Sequence, residues 1–497
     1  MAYVLGIDLG TSSLKGILVA EDGQVVTTAS SDYSIERPSR GYSEQDPEEW
    51  VKACLTVIKN ITQQIPDAVH NIEGISFSGQ MHSLVLIDEQ GLPLRNAILW
   101  NDVRTTAQCE RITDELGENL IRITKNKALE GFTLPKILWV QENEPTIWSK
   151  TKHFLLPKDY LRYRLTGELG MDYSDAAGTL LLDIEQNEWS TAILDQFDID
   201  PAICPPLVQS TEKVGYVLEE IAQELGLTND IPVFAGGADN ACGALGAGIV
   251  HANQGMASIG TSGVFLSNEE TNEKDYQGHL HFFNHVIPNR YYSMGVTLAA
   301  GNSLSWYKDT FAGDQSYEEL LSGIDEIEAG SDGLIFAPYL SGERTPYTDS
   351  DIRGTFLGMD INHTQNHFTR AVLEGITFSL RDSLELMKTY TDKTIEQVVS
   401  VGGGAKNKEW LQMQANIFNT PVTPLETEQG PGMGAAMLAA VGTGWFSNLA
   451  DCSEVFVNYK EPIQPNAQEV KKYNEVYKIY QTVYPAIKEI SHQLVNR

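Results

Sequence analysis

Near its start the chain reads Val4-Leu5-Gly6-Ile7-Asp8-Leu9-Gly10-Thr11-Ser12-Ser13-Leu14-Lys15, and halfway along it reads Met256-Ala257-Ser258-Ile259-Gly260-Thr261-Ser262-Gly263-Val264-Phe265-Leu266. Each stretch is an apolar run, a Gly-Thr-Ser turn and a second apolar run, which predicts a β-hairpin. Such a turn offers backbone N–H groups and hydroxyls to a phosphate. Only the first copy has an acid, Asp8, and a base, Lys15, beside its turn. Two copies half a chain apart predict two related domains that close on one phosphorylated ligand.

The length and the order of the elements predict an α/β protein of two domains. A chain of 497 residues is too long for one compact core. Strand and helix patterns alternate through residue 250, and a second series begins near residue 256. We place the boundary in the short hinge Gly243–Gly248, which gives an N-terminal domain of residues 1–248 and a C-terminal domain of residues 249–497.

Charge and composition narrow the class of partner. The net charge of −32 argues against nucleic acid, whose phosphates the protein would repel. No stretch reaches about 18 uninterrupted apolar residues, so no membrane span is predicted. The chain enters a strand pattern at once, without a secretory signal, and we expect a cytoplasmic protein. Five scattered cysteines without a CxxC pair indicate neither a zinc site nor a disulfide framework.

Several nucleotide and hydrolase motifs are absent from the sequence. There is no GxxxxGK[ST] loop, no GxGxxG fingerprint with a suitable downstream acid, and no GxSxG elbow. These absences argue against a P-loop enzyme, a dinucleotide-dependent oxidoreductase and an α/β-hydrolase. The two Gly-Thr-Ser turns remain as the candidates for phosphate binding.

A candidate catalytic acid follows a buried strand. Val233-Phe234-Ala235 leads into two glycines, and Asp239 then begins a helix of small residues. Asp239 is expected as a helix N-cap, as a catalytic carboxylate, or as both, since a helix N-terminus favours the ionised form. The ordinary Asp pKa of about 3.9 makes a weak base. That suffices for loose phosphoryl transfer, where little proton transfer is needed until late.

Two further segments are candidates for a polyol pocket. Gln80-Met81-His82 follows a strand and a glycine, so His82 could bond a sugar hydroxyl while Met81 packs against carbon; a structural histidine is the alternative. Leu99–Thr105 could line the same pocket through Trp100. The alternative there is a surface pair of Asp102 and Arg104 with Trp100 in the core. The histidines at 279, 281 and 285 have the alternating spacing of a strand, and no acid or cysteine completes a metal site.

Together these segments resemble the FGGY carbohydrate kinases over nearly the whole chain. The resemblance lies in the segments Gly6–Lys15, Ser78–Ser83, Leu99–Thr105, Leu156–Tyr160, Gly236–Asn240, Gly260–Gly263, Ala300–Trp306 and Gly402–Asn407. It implies two duplicated actin-like, ribonuclease-H-like ATPase domains around a central cleft. It also implies that ATP and Mg²⁺ are the cofactors and that a small-molecule sugar is the substrate. A homodimer is compatible with these expectations.

The resemblance assigns roles by position. Asp239 would be the general base, and Asp8 would hold Mg²⁺ directly or through water. The sugar would lie among Met81, His82, Trp100, Asp239 and Asn240. The nucleotide and its phosphates would contact Thr11, Ser12, Lys15, Gly260, Thr261, Gly301, Ser305, Gly403, Gly404 and Asn407. The three consecutive glycines at 402–404 leave the alignment of Asn407 open by one residue.

The expected reaction is phosphorylation of D-xylulose by ATP to give D-xylulose 5-phosphate. Glycerol-specific members have Arg-Glu where this chain has Met81-His82, which argues against glycerol. Gluconate-specific members also have Met-His, so a kinase for gluconate, ribulose or another sugar is the alternative. A chaperone-like or actin-like ATPase would share both hairpins but has no need of the Met81-His82 pair or of Asp239-Asn240.

Overall fold

Two large β-sheets, each flanked by helices, form the framework of the molecule. The computed structural model describes residues 1–228 and 230–495. One sheet is built from strands before residue 240 and the other from strands after residue 253.

The first half of the chain contains fifteen strands and eleven helices among its described residues. The strands are β1 (Tyr3–Leu9), β2 (Ser13–Ala20), β3 (Val25–Asp32), β4 (Glu44–Gln45), β5 (Ile72–Gly79), β6 (Val85–Ile87), β7 (Ala97–Ile98), β8 (His153–Leu155), β9 (Met171–Asp172), β10 (Leu182–Asp183), β11 (Glu188–Trp189), β12 (Leu207–Val208), β13 (Lys213–Tyr216), β14 (Pro232–Phe234) and β15 (Gly237–Ala238). The helices are α1 (Pro47–Gln64), α2 (Ala68–Asn71), α3 (Thr106–Leu116), α4 (Glu118–Thr124), α5 (Thr133–Asn143), α6 (Pro145–Trp148), α7 (Pro157–Thr166), α8 (Tyr173–Ala177), α9 (Thr191–Gln196), α10 (Glu219–Leu225) and α11 (Asp239–Gly246).

The second half contains eight strands and eight helices in the part of the chain that the structure describes. The strands are β16 (Gln254–Ile259), β17 (Gly263–Glu269), β18 (His281–Asn284), β19 (Tyr291–Thr297), β20 (Ile335–Ala337), β21 (Thr355–Leu357), β22 (Gln397–Gly402) and β23 (Val422–Pro424). The helices are α12 (Gly301–Tyr307), α13 (Tyr317–Leu320), α14 (Gln365–Thr391), α15 (Lys408–Phe418), α16 (Pro431–Gly442), α17 (Leu449–Phe456), α18 (Ala467–Tyr480) and α19 (Val483–Val495).

The two large sheets repeat one topology. The first has the order β13-β14-β5-β1-β2-β3, with β15 also paired to β5, and the second has the order β18-β19-β17-β16-β22-β23. In the first, β1 is antiparallel to β2 and parallel to β5; in the second, β16 is antiparallel to β17 and parallel to β22. Both predicted Gly-Thr-Ser hairpins are therefore confirmed, and they occupy equivalent places in a duplicated α/β architecture.

Local signals in the sequence explain where several elements begin and end. Helix α1 starts at Pro47 because the Asp46 carboxylate accepts a hydrogen bond from the Glu48 N–H at 2.9 Å. The apolar run that begins at Ile72 forms β5, and Asn407 is the N-cap of α15. The C-terminal segment forms two helices, α18 and α19.

Helix α16 from the second half packs on the sheet of the first half. A Cβ atom at Gly6 on β1 would lie 2.2 Å from the Gly432 carbonyl oxygen. On the other side of α16, a Cβ at Gly434 would lie 2.0 Å from the carbonyl oxygen of Cys242 on α11. Backbone therefore meets backbone on both sides of the helix, which only glycine permits. The halves share this helical layer, and the boundary placed after residue 248 stays a prediction.

The C-terminal helices cover the second sheet's long helix α14. The hydroxyl of Tyr477 on α18 donates to Asp382 on α14 at 2.5 Å, and its ring packs against Phe378. These contacts attach the C-terminal segment to the second half of the chain. In residues 1–228 and 230–495, no helix is long and apolar enough to span a membrane.

We predict that Gly434→Ala lowers the free energy of unfolding by about 1–3 kcal/mol, because its methyl group would collide with the backbone of α11. The measurement is the urea midpoint of purified protein. Gly432→Ala on the same helix is the matched control, since its Cβ would meet nothing closer than 3.7 Å. Equal midpoints for the two variants would contradict the role given to this contact.

Candidate active site

The first Gly-Thr-Ser turn is held by a backbone hydrogen bond of its own and by the side chains of two other segments. The Gly10 N–H donates to the Ser13 carbonyl at 3.0 Å and closes the turn. The Gln45 amide donates to the Thr11 carbonyl at 2.7 Å, and the Trp100 indole donates to the Thr11 hydroxyl at 2.9 Å. These contacts fix the turn before any ligand arrives.

The second turn is fixed by the start of α12. The N–H groups of Ala300 and Asn302 both donate to the Thr261 carbonyl at 3.1 Å, and the Gly301 N–H donates to the Gly260 carbonyl at 2.8 Å. A Cβ at Gly301 would lie 2.4 Å from the Gly260 carbonyl oxygen, so glycine is required at this helix start.

The acid and base of the first hairpin lie opposite each other on β1 and β2. Asp8 pairs with Lys15 in the strand register, and the Lys15 ammonium donates to Gln429 at 2.9 Å. Burial raises the pKa of Asp8 to about 6, and the charge of Lys15 limits that rise. Asp8 forms no salt bridge within the described chain. Its carboxylate oxygens are the kind of ligand that Mg²⁺ prefers, so the residue fits a magnesium site.

Asp239 is the first residue of α11 and is half-buried. One carboxylate oxygen accepts hydrogen bonds from the Asn240 backbone N–H at 2.7 Å and from the Asn240 side-chain amide at 2.9 Å. Burial, together with the negative charge of Asp8, raises the pKa of Asp239 to about 7. The sequence-based expectations of an N-cap and of an ordinary pKa were wrong: Ala238 holds the cap position, and the low-dielectric cleft outweighs the helix dipole.

Met81 and His82 lie beside this acid. The Asn240 amide nitrogen and the Tyr292 hydroxyl approach the Met81 sulfur at 3.7 and 3.8 Å. His82 adopts a left-handed φ of 68°, which is uncommon for a residue other than glycine. Its Nδ1 atom lies 2.6 Å from the Gly178 carbonyl oxygen, and burial lowers its pKa to about 3. The ring is therefore neutral at physiological pH.

Residues 99–105 show the opposite of the alternative in which Asp102 and Arg104 pair at the surface and Trp100 lies in the core. Trp100 is 39% exposed at the first turn, whereas Asp102 and Arg104 form a buried ion pair at 2.6 Å. The Arg104 guanidinium also stacks on the Tyr42 ring at 3.7 Å. Trp100 thus faces the cleft, and the ion pair holds the loop that presents it.

A cavity of about 540 Å³ lies between the second turn and the turn after β22. It is lined by seven of the residues predicted to contact nucleotide, namely Gly260, Thr261, Gly301, Ser305, Gly403, Gly404 and Asn407. Thr11, Ser12 and Lys15 lie outside it, on the first hairpin. The Asn407 carboxamide oxygen caps α15 by accepting from the Trp410 N–H at 2.8 Å. The sequence did not single out Asn302, Leu304, Tyr317 or Trp410, which also line the cavity.

A buried ionic network supports the backbone just before Asp239. Sequence reasoning assigned no individual role to its residues. The Lys158 ammonium lies 2.6 Å from Asp159, 2.7 Å from Asp172 and 2.9 Å from Asp175. All four side chains are buried, and Arg162 adds a second cation beside Asp159 at 2.9 Å. Three carboxyl groups face two cations, and burial raises the pKa of Asp175 well above its usual range.

The hydroxyl of Ser174 links the network to Ala238, the residue before Asp239. The Ser174 hydroxyl donates to Asp172 and accepts from the Ala238 N–H at 2.9 Å, one residue before the acid. The three acids could hold a metal by spacing, but the Lys158 ammonium already lies within 3 Å of each of them. The sequence motif Leu156–Tyr160 is thus part of the support of the site.

The histidines at 279, 281 and 285 do not converge on a metal position. His279 stacks on Tyr390, His281 stacks on Phe283, and His285 contacts Tyr292 edge-on. Among the described residues, the one metal-sized group of His, Cys, Asp and Glu ligands is the acid triad bound by Lys158.

Comparisons with known proteins agree with this geometry. Models of the FGGY family of carbohydrate kinases match the chain, the N-terminal domain over residues 3–246 and the C-terminal domain over residues 255–443. The chain is 56% identical to the xylulose kinase of Lactococcus lactis subsp. lactis (strain IL1403), covering 100% of this chain and 99% of that protein. It is 53% identical to the xylulose kinase of Bacillus subtilis (strain 168), covering 99% of each. The solved structure of ligand-bound xylulose kinase from Lactobacillus acidophilus superimposes with a TM-score of 0.93 at 27% identity, covering 98% of this chain and 99% of that one. The predicted fold class is confirmed.

We predict that Lys158→Met lowers the free energy of unfolding by about 3–5 kcal/mol, because it leaves three buried carboxyl groups with one cation. Chemical denaturation measures the loss. Lys125→Met is the control: its partner Glu185 is 54% exposed, and we expect a loss below about 1 kcal/mol. A loss at Lys158 no larger than the loss at Lys125 would refute the structural role of the network.

Proposed function

The chain belongs to the FGGY family of carbohydrate kinases, and we propose that it transfers the γ-phosphate of ATP to D-xylulose, giving D-xylulose 5-phosphate. The observation that carries the proposal is the placement of Asp239. Its carboxyl group lies beside Asn240 and Met81, in the cleft that also holds Asp8 of the first hairpin. Three relatives that are 49–56% identical over at least 99% of this chain are named xylulose kinase.

The 540 Å³ cavity has the size and the lining that a nucleoside requires. Its glycines at 403 and 404 let backbone approach a flat base, and the rings of Trp410 and Tyr317 supply apolar walls. With the base and ribose in this cavity, the phosphates would run along the second turn toward the first. Thr11, Ser12 and Lys15 would then meet the phosphate that is transferred.

We assign Asp8 to the magnesium ion that the nucleotide brings. Bound Mg²⁺ supplies neutralisation of the charge on the transferring phosphate. Asp8 suits this position because its carboxylate has no salt bridge in the described chain and a cation would offset the burial that raises its pKa. Lys15, tied to Gln429, adds a second positive group on the same hairpin.

The chain's own residues then position the sugar and move one proton. Asp239 accepts the proton of the terminal hydroxyl as the new bond to phosphorus forms, and Asn240 holds the carboxylate in place through its two hydrogen bonds. Backbone N–H groups of the two turns and Lys15 stabilise charge on the phosphoryl oxygens. Closure of the cleft excludes water and so limits ATP hydrolysis without sugar.

A coupled ADP-release assay across D-xylulose, D-ribulose, gluconate and glycerol tests the proposal. We expect the highest kcat/KM with D-xylulose, because the relatives at 49–56% identity are xylulose kinases. We expect the lowest with glycerol, because Met81 and His82 occupy the positions where glycerol kinases have Arg and Glu. Higher kcat/KM with gluconate would overturn the choice of sugar and keep the kinase. ADP release that no sugar stimulates would overturn the kinase itself.

We predict that Asp239→Asn lowers kcat by about 10²- to 10⁴-fold, the usual loss when a general base is removed. The isosteric amide keeps the site's shape, so the affinity for ATP, measured by calorimetry, should remain within about twofold. For the wild-type enzyme, kcat/KM for the sugar should fall about tenfold per pH unit below about pH 7, because protonated Asp239 cannot accept the hydroxyl proton.

Two results would contradict this assignment. Turnover by Asp239→Asn within tenfold of the wild type would exclude Asp239 as the base. An acid limb with a pKa near 4 would show that the carboxyl group is not perturbed in the working enzyme. Running the coupling enzymes alone over the same pH range is the control.

A further inference from the structure

Two histidines from different halves of the chain share one aromatic environment next to Met81. The ring of His82 lies 4.7 Å from Phe132 and 6.0 Å from Phe283. The ring of His281, at the start of β18, stacks on the same Phe283 at 5.6 Å and meets the same Phe132 at 5.7 Å. The two imidazoles are therefore neighbours, although one belongs to the first half and the other to the second.

Hydrogen bonds fix the tautomer of both rings. The Nδ1 atom of His82 faces the Gly178 carbonyl oxygen, which can only accept, so Nδ1 carries the proton. The Asn126 amide nitrogen donates to the carbonyls of Thr124 and Phe282, both at 2.8 Å, which orients the amide. Its oxygen therefore faces Nδ1 of His281 at 3.2 Å, and this nitrogen also carries the proton.

In each neutral ring, Nε2 is then left as an acceptor. Burial lowers the pKa of both histidines, so neither ring gains the second proton that would turn Nε2 into a donor at physiological pH. Neither Nε2 atom has a hydrogen-bond partner among the described residues, and both rings are half-buried.

Arg344 brings donors to the same place. The backbone on both sides of it is fixed to the end of β19: the Glu343 carboxylate accepts from the Leu298 N–H, and Thr345 exchanges two 3.0 Å hydrogen bonds with Val296. The half-buried guanidinium is close enough to His82 and His281 to disfavour protonation of both.

This guanidinium differs from those of two buried arginines. Arg162 and Arg370 each donate to a carboxylate and to a carbonyl. Within residues 1–228 and 230–495, the side chain of Arg344 has no hydrogen bond and no salt bridge. The donors of this half-buried guanidinium are therefore free to serve a bound molecule.

Resting on the proposed function, we propose that His281 and Arg344 complete the sugar site, so that both halves of the chain hold the ketose. The Nε2 atoms of His82 and His281 accept protons from sugar hydroxyls, and the Arg344 guanidinium donates to a sugar oxygen. Two acceptors and a forked donor around an apolar floor of Met81 and Phe283 match a small polyol that carries both hydroxyl and carbonyl groups.

The test is the binding and turnover of D-xylulose by Arg344→Met and His281→Phe. We expect KM and the calorimetric Kd for D-xylulose to rise about 10- to 100-fold for Arg344→Met and about 2- to 10-fold for His281→Phe, the losses typical of charged and neutral hydrogen bonds. KM for ATP and the thermal midpoint should stay unchanged. Arg344→Lys, which keeps the charge but not the fork, should lie between Arg344→Met and the wild type.

Two control variants test whether removal of another arginine or histidine from the second half of the chain also changes the KM for D-xylulose. Arg353→Met removes a guanidinium that donates to carbonyls of its own loop, and His279→Phe removes a ring that stacks on Tyr390. Both should keep the wild-type KM for D-xylulose. Wild-type sugar affinity in Arg344→Met, Arg344→Lys and His281→Phe would overturn this inference, whereas a wild-type enzyme inactive on D-xylulose would overturn the proposed function instead.

Discussion

The contact on which the rest of the structure depends is the glycine-mediated packing of α16 between β1 and α11. Backbone carbonyls of the helix and of α11 approach to distances that leave no room for a Cβ at Gly6 or Gly434. Asp8 lies on β1 and Asp239 begins α11, so the separation of the two acids is set by this layer. A wider spacing would weaken the repulsion that raises the pKa of Asp239. The chemistry of the cleft thus follows from close packing of small residues.

The cleft is acidic at its floor, although its substrate is an anion. Asp8 and Asp239 are both half-buried, and the positive groups nearby are few. The ionic network around Lys158 lies behind the floor and is already occupied with its own carboxylates. Under the proposed function, positive charge for the phosphates would come from Lys15 and from a cation that accompanies the nucleotide. Local positive charge at the site would then offset the repulsion between ATP and a protein with a net charge of −32.

What the sequence predicted well was local. A Gly-Thr-Ser turn between apolar runs specifies a hairpin within about ten residues, and Asp46 before Pro47 specifies a helix start. The features that the sequence did not predict depend on which charged residues become buried when the chain folds. Lys158 and Asp159 are typical of an exposed pair on a helix, and only the fold shows that both are fully buried. The pKa of Asp239 likewise depends on Asp8, a residue more than 200 positions away. Trp100, which one alternative placed in the core, is exposed, and Asp102, which it placed at the surface, is buried. Asp102 can be buried because its carboxylate pairs with Arg104.

The carboxamide of Asn126 has a mechanical consequence. It donates to the Phe282 carbonyl and accepts from the Phe282 N–H, as a neighbouring strand would, and so ties β18 of the second half to the first half. Rotation of the halves about this point preserves both hydrogen bonds, whereas separation of the halves there breaks them. The amide therefore holds the two halves together beside His281. A rotation that keeps both hydrogen bonds separates the halves most at the end of the cleft farthest from Asn126.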